Sequence, residues 1–323
     1  MMNITVKRWD NDEIILQTDK YNSIKELLEK EKNNIDFSYA KLNDAELNGA
    51  ELNHAKLNHA ELNNAELNNA RLNHAKLNDA ELNGAKLDYA ELNNAELNLA
   101  RLNHAKLNGA MLNNARLNRA ELSHAELNNA RLNHAKLNDA ELNGAKLDYA
   151  ELSFAKLDNA KLNHAELNFA KLNHARLNNA KLNRAILNDI RLNNAKLNRA
   201  ILNDITSNVM VPQIKWITDN FKRTNDGYIV YKAIGRTNYA IPDYWNIHEN
   251  SIISEHEINR NRSNICGCGV NFGTLEYVAA QYPNSEIWEC LLTYDNLADL
   301  CVPYNTNGKA RCRELKLLKK NET

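Results

Sequence analysis

From Ile35 to Asp204 the chain repeats one five-residue pattern of polar and apolar positions through 34 consecutive units without an insertion. Counting from a central Leu at i, each unit has Ala at i−2, a mostly charged residue at i−1, Asn at i+1 and a variable residue at i+2, as in Ala45-Glu46-Leu47-Asn48-Gly49. Leu fills the centre in 33 units, with Phe37 the exception, and only Ile35 and Ile190 replace the Ala. A period of five defines no face of an α-helix, since at about 100° per residue each Leu would stand ~140° round from the last. It is not one long strand either, because two-residue alternation breaks at every unit. The pattern predicts a solenoid whose wall turns a corner every five residues, with Ala and Leu inward and the other three positions outward.

This Ala-x-Leu-x-x array resembles the pentapeptide-repeat family over 170 of the 323 residues. The resemblance implies a right-handed, four-sided parallel β-helix with one pentad per side, hence four pentads per coil. The array would then make about 8.5 coils, and at ~4.8 Å per coil a rod ~40 Å long. Two echoes bear on the coil. Residues 70–92 recur identically at 130–152, an offset of 60 that is a whole number of such coils. Ala180–Ile190 recurs at Ala195–Ile205, an offset of 15 that does not preserve the faces.

The flanks have a different grammar, and the fold expected is mainly β with a small α+β domain at the C-terminus. Residues 1–34 read as an N-terminal cap. Ile4-Thr5-Val6 and Ile14-Ile15-Leu16 flank Asp10-Asn11-Asp12 as a hairpin, and Ser23-Ile24-Lys25-Glu26 is a capping box opening a helix through about Lys32. Residues 35–204 are the β-helix, and 205–225 a second cap and linker. Residues 226–323 form the α+β domain, with strands expected at 228–234, 251–254, 269–272, 286–293, 300–303 and 309–318 and a helix at 275–281. Its pieces GYIVYKAIG, ICGCGVNFGTLEY and VPYNTNGKARC resemble a domain of unknown function carried by some viral and bacterial pentapeptide-repeat proteins, a resemblance that supplies no activity.

Within the repeat, Asn occupies i+1 in 28 of 34 units. Such repetition reads as a corner ladder from coil to coil, with Asn suited to tight turns. Sorting the outward positions by face brings out one basic column at i−1. It contains Lys56, Lys76, Arg116, Lys136, Lys156, Arg176 and Lys196, against acidic Asp36 and Glu96. This stripe is a candidate binding surface for an acidic protein or a phosphate backbone, or a solvated face neutralised by Asp79, Asp139 and Asp158. The column from Glu51 through Arg71, Glu91, Met111, Arg131, Glu151 and Lys171 to Arg191 alternates in sign for most of its length, which suits ion pairs between coils. His54, His74, His134 and His174 share a further column, but a metal site wants three or more convergent ligands, so they read as surface histidines and no metal is expected. Ile186 and Ile201 replace charged residues near the end of the array, and exposed branched apolar side chains there predict docking by the following domain.

Some members of the resembled family mimic B-DNA and act on type II topoisomerases, which requires a strongly acidic rod. Residues 35–204 carry 21 acidic and 21 basic side chains, so that reading is disfavoured. The whole chain is as balanced, with 40 basic and 41 acidic residues, and gives no electrostatic argument for nucleic acid or membrane. No apolar run is long enough to span a membrane and the N-terminus lacks a signal-peptide core, so a soluble, cytoplasmic protein is expected. All five cysteines fall in the last 58 residues. Without secretory context an odd count predicts reduced thiols, and their spacing matches no common zinc pattern. Cys290, Cys301 and Cys312, in expected strands, read as buried small apolar residues.

Asn271, Thr274, Glu276, Lys309 and Arg311 could line an anion or nucleotide pocket, with a solvated strand face as the plainer reading of Lys309, Arg311 and Arg313. No catalytic constellation stands out and no cofactor is implied. The function expected is a non-enzymatic scaffold binding another protein, as a monomer or weak homodimer. The alternative is a small enzyme or nucleotide-binding domain at 226–323.

Overall fold

The computed structural model describes residues 3–321 apart from 193–194, 198, 203–204, 206, 208–209, 236–240, 257–268, 304–305 and 307. The chain divides into two compact units, one of residues 1–191 and 200–207 and the other of 192–199 and 208–323.

In the first unit the hairpin and helix lead into the coils. Strand β1 (Ile4–Lys7) pairs antiparallel with β2 (Ile14–Thr18). Helix α1 (Ile24–Glu31) starts at Ser23, whose hydroxyl accepts from the Glu26 amide, while Glu26 reaches back to the Asn22 amide. Leu27 and Leu28 are fully buried. The chain entering from β1 adds to the first coil through an antiparallel bridge between Arg8 and Ala40, and Lys25 Nζ donates to Asn48 O. These contacts occupy edge groups of the first coil that would otherwise be open.

From Lys41 onward, parallel bridges join each i−1 residue to the one 20 residues later, as in Lys41 with Glu61 and Glu61 with Glu81. The coil therefore holds four pentads. In the unit Ala60–Asn64, all five amides have partners. Ala60 N–H closes the corner on Leu57 O (3.2 Å), Glu61 N–H donates to Ala40 O of the preceding coil (2.9 Å), and Leu62 and Asn64 donate to Glu81 O and Asn83 O of the next (2.7 and 2.9 Å). The Asn63 amide finds no carbonyl and donates instead to the Asn43 side-chain Oδ1 at 3.0 Å. Here lies the reason for Asn at i+1: its side chain satisfies the one backbone donor per pentad that the ladder leaves over. Asp88 and Asp148 replace it without loss of the acceptor, each receiving the amide one coil on.

The corner itself differs from expectation. Left-handed φ falls at i+2 and not at the Asn, with values such as 63° at His54 and 61° at Phe154. Asn, Asp, His and Gly are frequent there because they tolerate that conformation best. Inside, nearly all the Ala and Leu of the coils are buried, with Ala45 and Leu202 only half-buried. The voids between leucine tiers amount to ≈ 10 Å³ and are lined by leucine alone, so the axis is dry packing and not a ligand tunnel.

The second unit contains α2 (Met210–Asn220), β3 (Lys222–Arg223), β4 (Gly227–Ile234), β5 (Ile252–Ser254), β6 (Val270–Gly273), α3 (Leu275–Gln281), β7 (Glu286–Thr293), β8 (Lys309–Cys312) and β9 (Glu314–Lys320). One antiparallel sheet runs β5-β9-β7-β4-β6-β8, with β3 added beside β4. Two expected strands are corrected. Residues 300–303 contribute only a single bridge, Cys301 with Arg311, after a 3₁₀ turn over Tyr294–Asp299, and the run 309–318 breaks at Arg313 into β8 and β9. The break turns the chain so that β8 is the edge strand beside β6 while β9 lies between β5 and β7, a separation that local alternation cannot report. Helix α2 had no counterpart in the expected linker. One face of the sheet carries the main core, including Val230, Phe272, Cys290, Cys312, Leu315 and Leu317 with Ile217. On the other, Val278 of α3 packs on Ala233 and Ile287.

Candidate functional site

The outward residues of the rod fall into columns one coil apart. In the alternating column, Arg71 pairs with Glu51 at 2.9 Å and with Glu91 at 3.4 Å, and Lys171 pairs with Glu151 at 2.9 Å. The Lys171 ammonium holds the Glu151 carboxyl below its ordinary range. Other columns also pair, as in Arg101–Glu81 and Lys86–Glu66.

The basic column is realised as a ladder. Lys56 bridges to Lys76, and farther along Arg116, Lys136, Lys156 and Arg176 bridge in succession. Arg116 approaches Glu96 at 3.8 Å and Arg176 approaches Asp158 at 2.6 Å. Among the described residues no ion pair joins Lys56, Lys76, Lys136 or Lys156. Lys196 lies in the second unit. Ile186 and Ile201 both bridge within the rod, to Glu166 and Lys181; Ile186 is half-buried and Ile201 is 38% exposed.

The variable corner residues form ring ladders, one of them in the column of His54, His74, His134 and His174; the stacking, and the part of Phe154 and Phe169 in it, were not read from the sequence. His54 stacks on His74 with centroids 5.0 Å apart and planes within 8°. Parallel rings carry their in-plane lone pairs side by side and do not converge them on one ion. In the same column Phe154 lies between His134 (5.0 Å) and His174 (4.6 Å), and at the neighbouring corner Tyr149 stacks on Phe169 at 4.8 Å. The signal was available as aromatic residues recurring 20 apart at i+2, but it is visible only once coil and corner are known.

In the second unit the structure brings some candidate pocket residues together and separates others. Asn271 lies directly opposite Arg311 and Gly273 opposite Lys309, which sets Asn271, Lys309 and Arg311 on one face. Lys309 and Arg311 are buried, Arg311 to 1% exposure, so the solvated-face reading of this strand is overturned. A short strand near the end of a chain looks exposed by alternation; here pairing with β6 and the bridge to Cys301 cover it on both edges. Thr274 caps α3, accepting from the Tyr277 amide, and Glu276 is exposed in the helix's first turn.

On the core face, Lys232 donates to Asn271 O at 3.0 Å and lies 5.2 Å from the centre of the Trp245 ring. Strands β4 and β6 share one register pair, Tyr231 with Gly273, and Lys232 captures a carbonyl where they part. Burial pushes its pKa down. Cys290, Cys301 and Cys312 are buried. Burial pushes the Cys290 thiol up to about 12 and Cys312 well up, so neither supplies a thiolate. Cys266 and Cys268 lie outside the described residues. Among the described residues no three His, Cys, Asp or Glu side chains group as metal ligands, and no helix is long and apolar enough to cross a membrane.

A family model described as pentapeptide repeats matches in eight copies, over residues 33–69, 65–103, 95–133, 125–163 and 160–199. No curated protein matches the chain. Among solved structures, HetL, a pentapeptide repeat protein involved in heterocyst differentiation regulation from the cyanobacterium Nostoc sp. strain PCC 7120, is 30% identical. The match covers 59% of this chain and 96% of that one, with a TM-score of 0.45. QnrB1, a plasmid-mediated fluoroquinolone resistance protein, is 14% identical over 51% of this chain and 87% of its own, TM-score 0.38. Rfr23 from the cyanobacterium Cyanothece 51142 is 34% identical over 32% and 60%, TM-score 0.19.

Proposed function

The chain belongs to the pentapeptide-repeat family, and from that premise we propose that it is a non-enzymatic interaction scaffold whose rod is a rigid docking surface for another protein. One observation carries the reading. The rod uses much of its polar inventory structurally, Asn in the ladder and many charges in pairs along columns, and the cations in no ion pair among the described residues include Lys56, Lys76, Lys136 and Lys156 of a single column. Lys56 and Lys76 stand one coil apart, as do Lys136 and Lys156, so each pair repels, and an acidic surface laid along the column would relieve that repulsion. The same ladder argues against DNA mimicry, which calls for the opposite sign.

The nucleotide-pocket alternative loses its main support, because Lys309 and Arg311 are buried in the sheet and Thr274 is occupied as a helix cap. The test is affinity capture with the full chain and with a full chain carrying Gln at Lys56, Lys76, Lys136 and Lys156. The scaffold reading expects specific protein partners that the neutralised chain loses; identical capture by both would remove the stripe from the function.

A further inference from the structure

The two identical stretches 70–92 and 130–152 are followed by different outward residues, at corners and on faces, where Lys156 stands in place of Glu96. Past the first copy come Asn94, Gly109 and Asn114; at the equivalent places past the second come Phe154, Phe169 and His174. Tyr89 and Tyr149 are the same residue in the two copies, yet their surroundings diverge. A Cβ at Gly109 would lie 2.6 Å from Tyr89 Cε1, so the Tyr89 ring folds over a glycine, whereas Tyr149 stacks on Phe169. The second copy thus carries two ring ladders with Tyr149 54%, Phe154 49% and Phe169 44% exposed. Each of these non-glycine corners holds φ between 59° and 61°, a conformation that bulky side chains adopt at a cost. Large apolar rings placed at strained, exposed corners do nothing for the core, which is closed beneath them by Ala and Leu.

What these ladders can bind follows from how the rings lie. Phe154 has an imidazole against both faces, within 4° and 2° of parallel. Its faces are therefore closed to a nucleobase or a sugar, and only the ring edge is offered. The edge is the positive part of an aromatic quadrupole. Two residues along the chain from that edge stands Lys156, next to Lys136 in the ladder and without an ion pair among the described residues. Ring edges and ammonium groups side by side complement carboxylates.

We infer that the corner and face around Phe154, Lys136 and Lys156 form the docking site, and that the occupant is an acidic, extended segment of a partner protein, its carboxylates lying against the ring edge and the lysines. This rests on the scaffold reading and narrows it to one place and one chemistry.

The test uses the full chain, a labelled oligoglutamate and a labelled oligothymidylate of equal charge, read by fluorescence anisotropy across a salt series. Oligoglutamate is expected to bind more tightly than oligothymidylate. Phe154→Asn, which installs the corner residue of the first copy, is expected to weaken binding about tenfold. Lys136→Gln with Lys156→Gln is expected to weaken it and flatten its salt dependence, while Tyr89→Asn leaves it unchanged. No binding of oligoglutamate, equal or tighter binding of oligothymidylate, or no response to the Phe154 change would overturn the inference. Those outcomes leave the scaffold reading standing wherever the full chain still captures a partner that the lysine-neutralised chain loses.

Discussion

In the coils, four of the five amides of a pentad such as 60–64 bond to the coil before or the coil after, and the fifth closes its own corner. In the sheet, β7 bonds to β4 on one side and β9 on the other, segments far from it in the chain, and β8 is held by β6 and by the bridge from Arg311 to Cys301. The coils stack identical residues, so any tier is supported by two near-copies of itself and stability accumulates tier by tier. The sheet has no such redundancy. It buries Arg311 to 1% exposure and draws Lys232 against a core of buried thiols, so single positions there hold several strands at once. A repeat tolerates local change because its loss is shared; a single core with buried cations does not.

The sharpest way to break that contrast is to empty one side chain in each region. Arg311→Ala is expected to cost about 4 kcal/mol, and Leu137→Ala, in the middle of the rod, about 3 kcal/mol. Hydrogen exchange separates them by extent. Loss of Arg311 should unprotect β6 and β8 together, whereas loss of Leu137 should be confined to the tiers of Leu117, Leu137 and Leu157. Unchanged exchange in β6 for Arg311→Ala, or unprotection running the whole rod for Leu137→Ala, would refute the contrast.

A smaller effect isolates the Asn ladder. Asn118 Oδ1 accepts from the Asn138 amide at 3.3 Å and its own amide group donates to Asn98 Oδ1 at 2.9 Å. Asn118→Ala orphans a half-buried N–H and is expected to cost about 1.5 kcal/mol, while Asn118→Asp keeps the acceptor and should cost less. Thermal denaturation ranks them, and equal costs would show that the acceptor is not what matters.

The smallest effect is electrostatic. Because Lys171 lowers the Glu151 pKa in the folded chain, the pair contributes stability at pH values above the ordinary carboxylate value of 4.5. That contribution is lost as pH falls through the lower, folded value. Glu151→Gln should therefore cost about 0.5 kcal/mol at neutral pH and nothing in strong acid. A cost independent of pH would assign the effect to packing.

The amino-acid sequence determined the rod almost completely. Leu and Ala alternate with outward residues at one unbroken period, so each position's inward or outward direction and its neighbour one coil away follow from counting. The alternating ion pairs of Arg71 and Lys171 were legible for the same reason. The location of left-handed backbone at i+2 was not, because the period marks where a corner falls and not which residue turns it. Nor was the stacking of the rings, since counting sets which corner residues are neighbours but not whether their side chains lie face to face.

In the sheet, most strand limits and the helix 275–281 could be read from alternation and capping, but what each strand faced could not. Lys309 and Arg311 look like solvated positions by chemistry, and the tertiary structure alone decided that they are buried. The physical reason is the range of the contacts. A periodic chain carries its tertiary neighbours in its own spacing, whereas a sheet ordered β5-β9-β7-β4-β6-β8 assigns neighbours that no local pattern encodes.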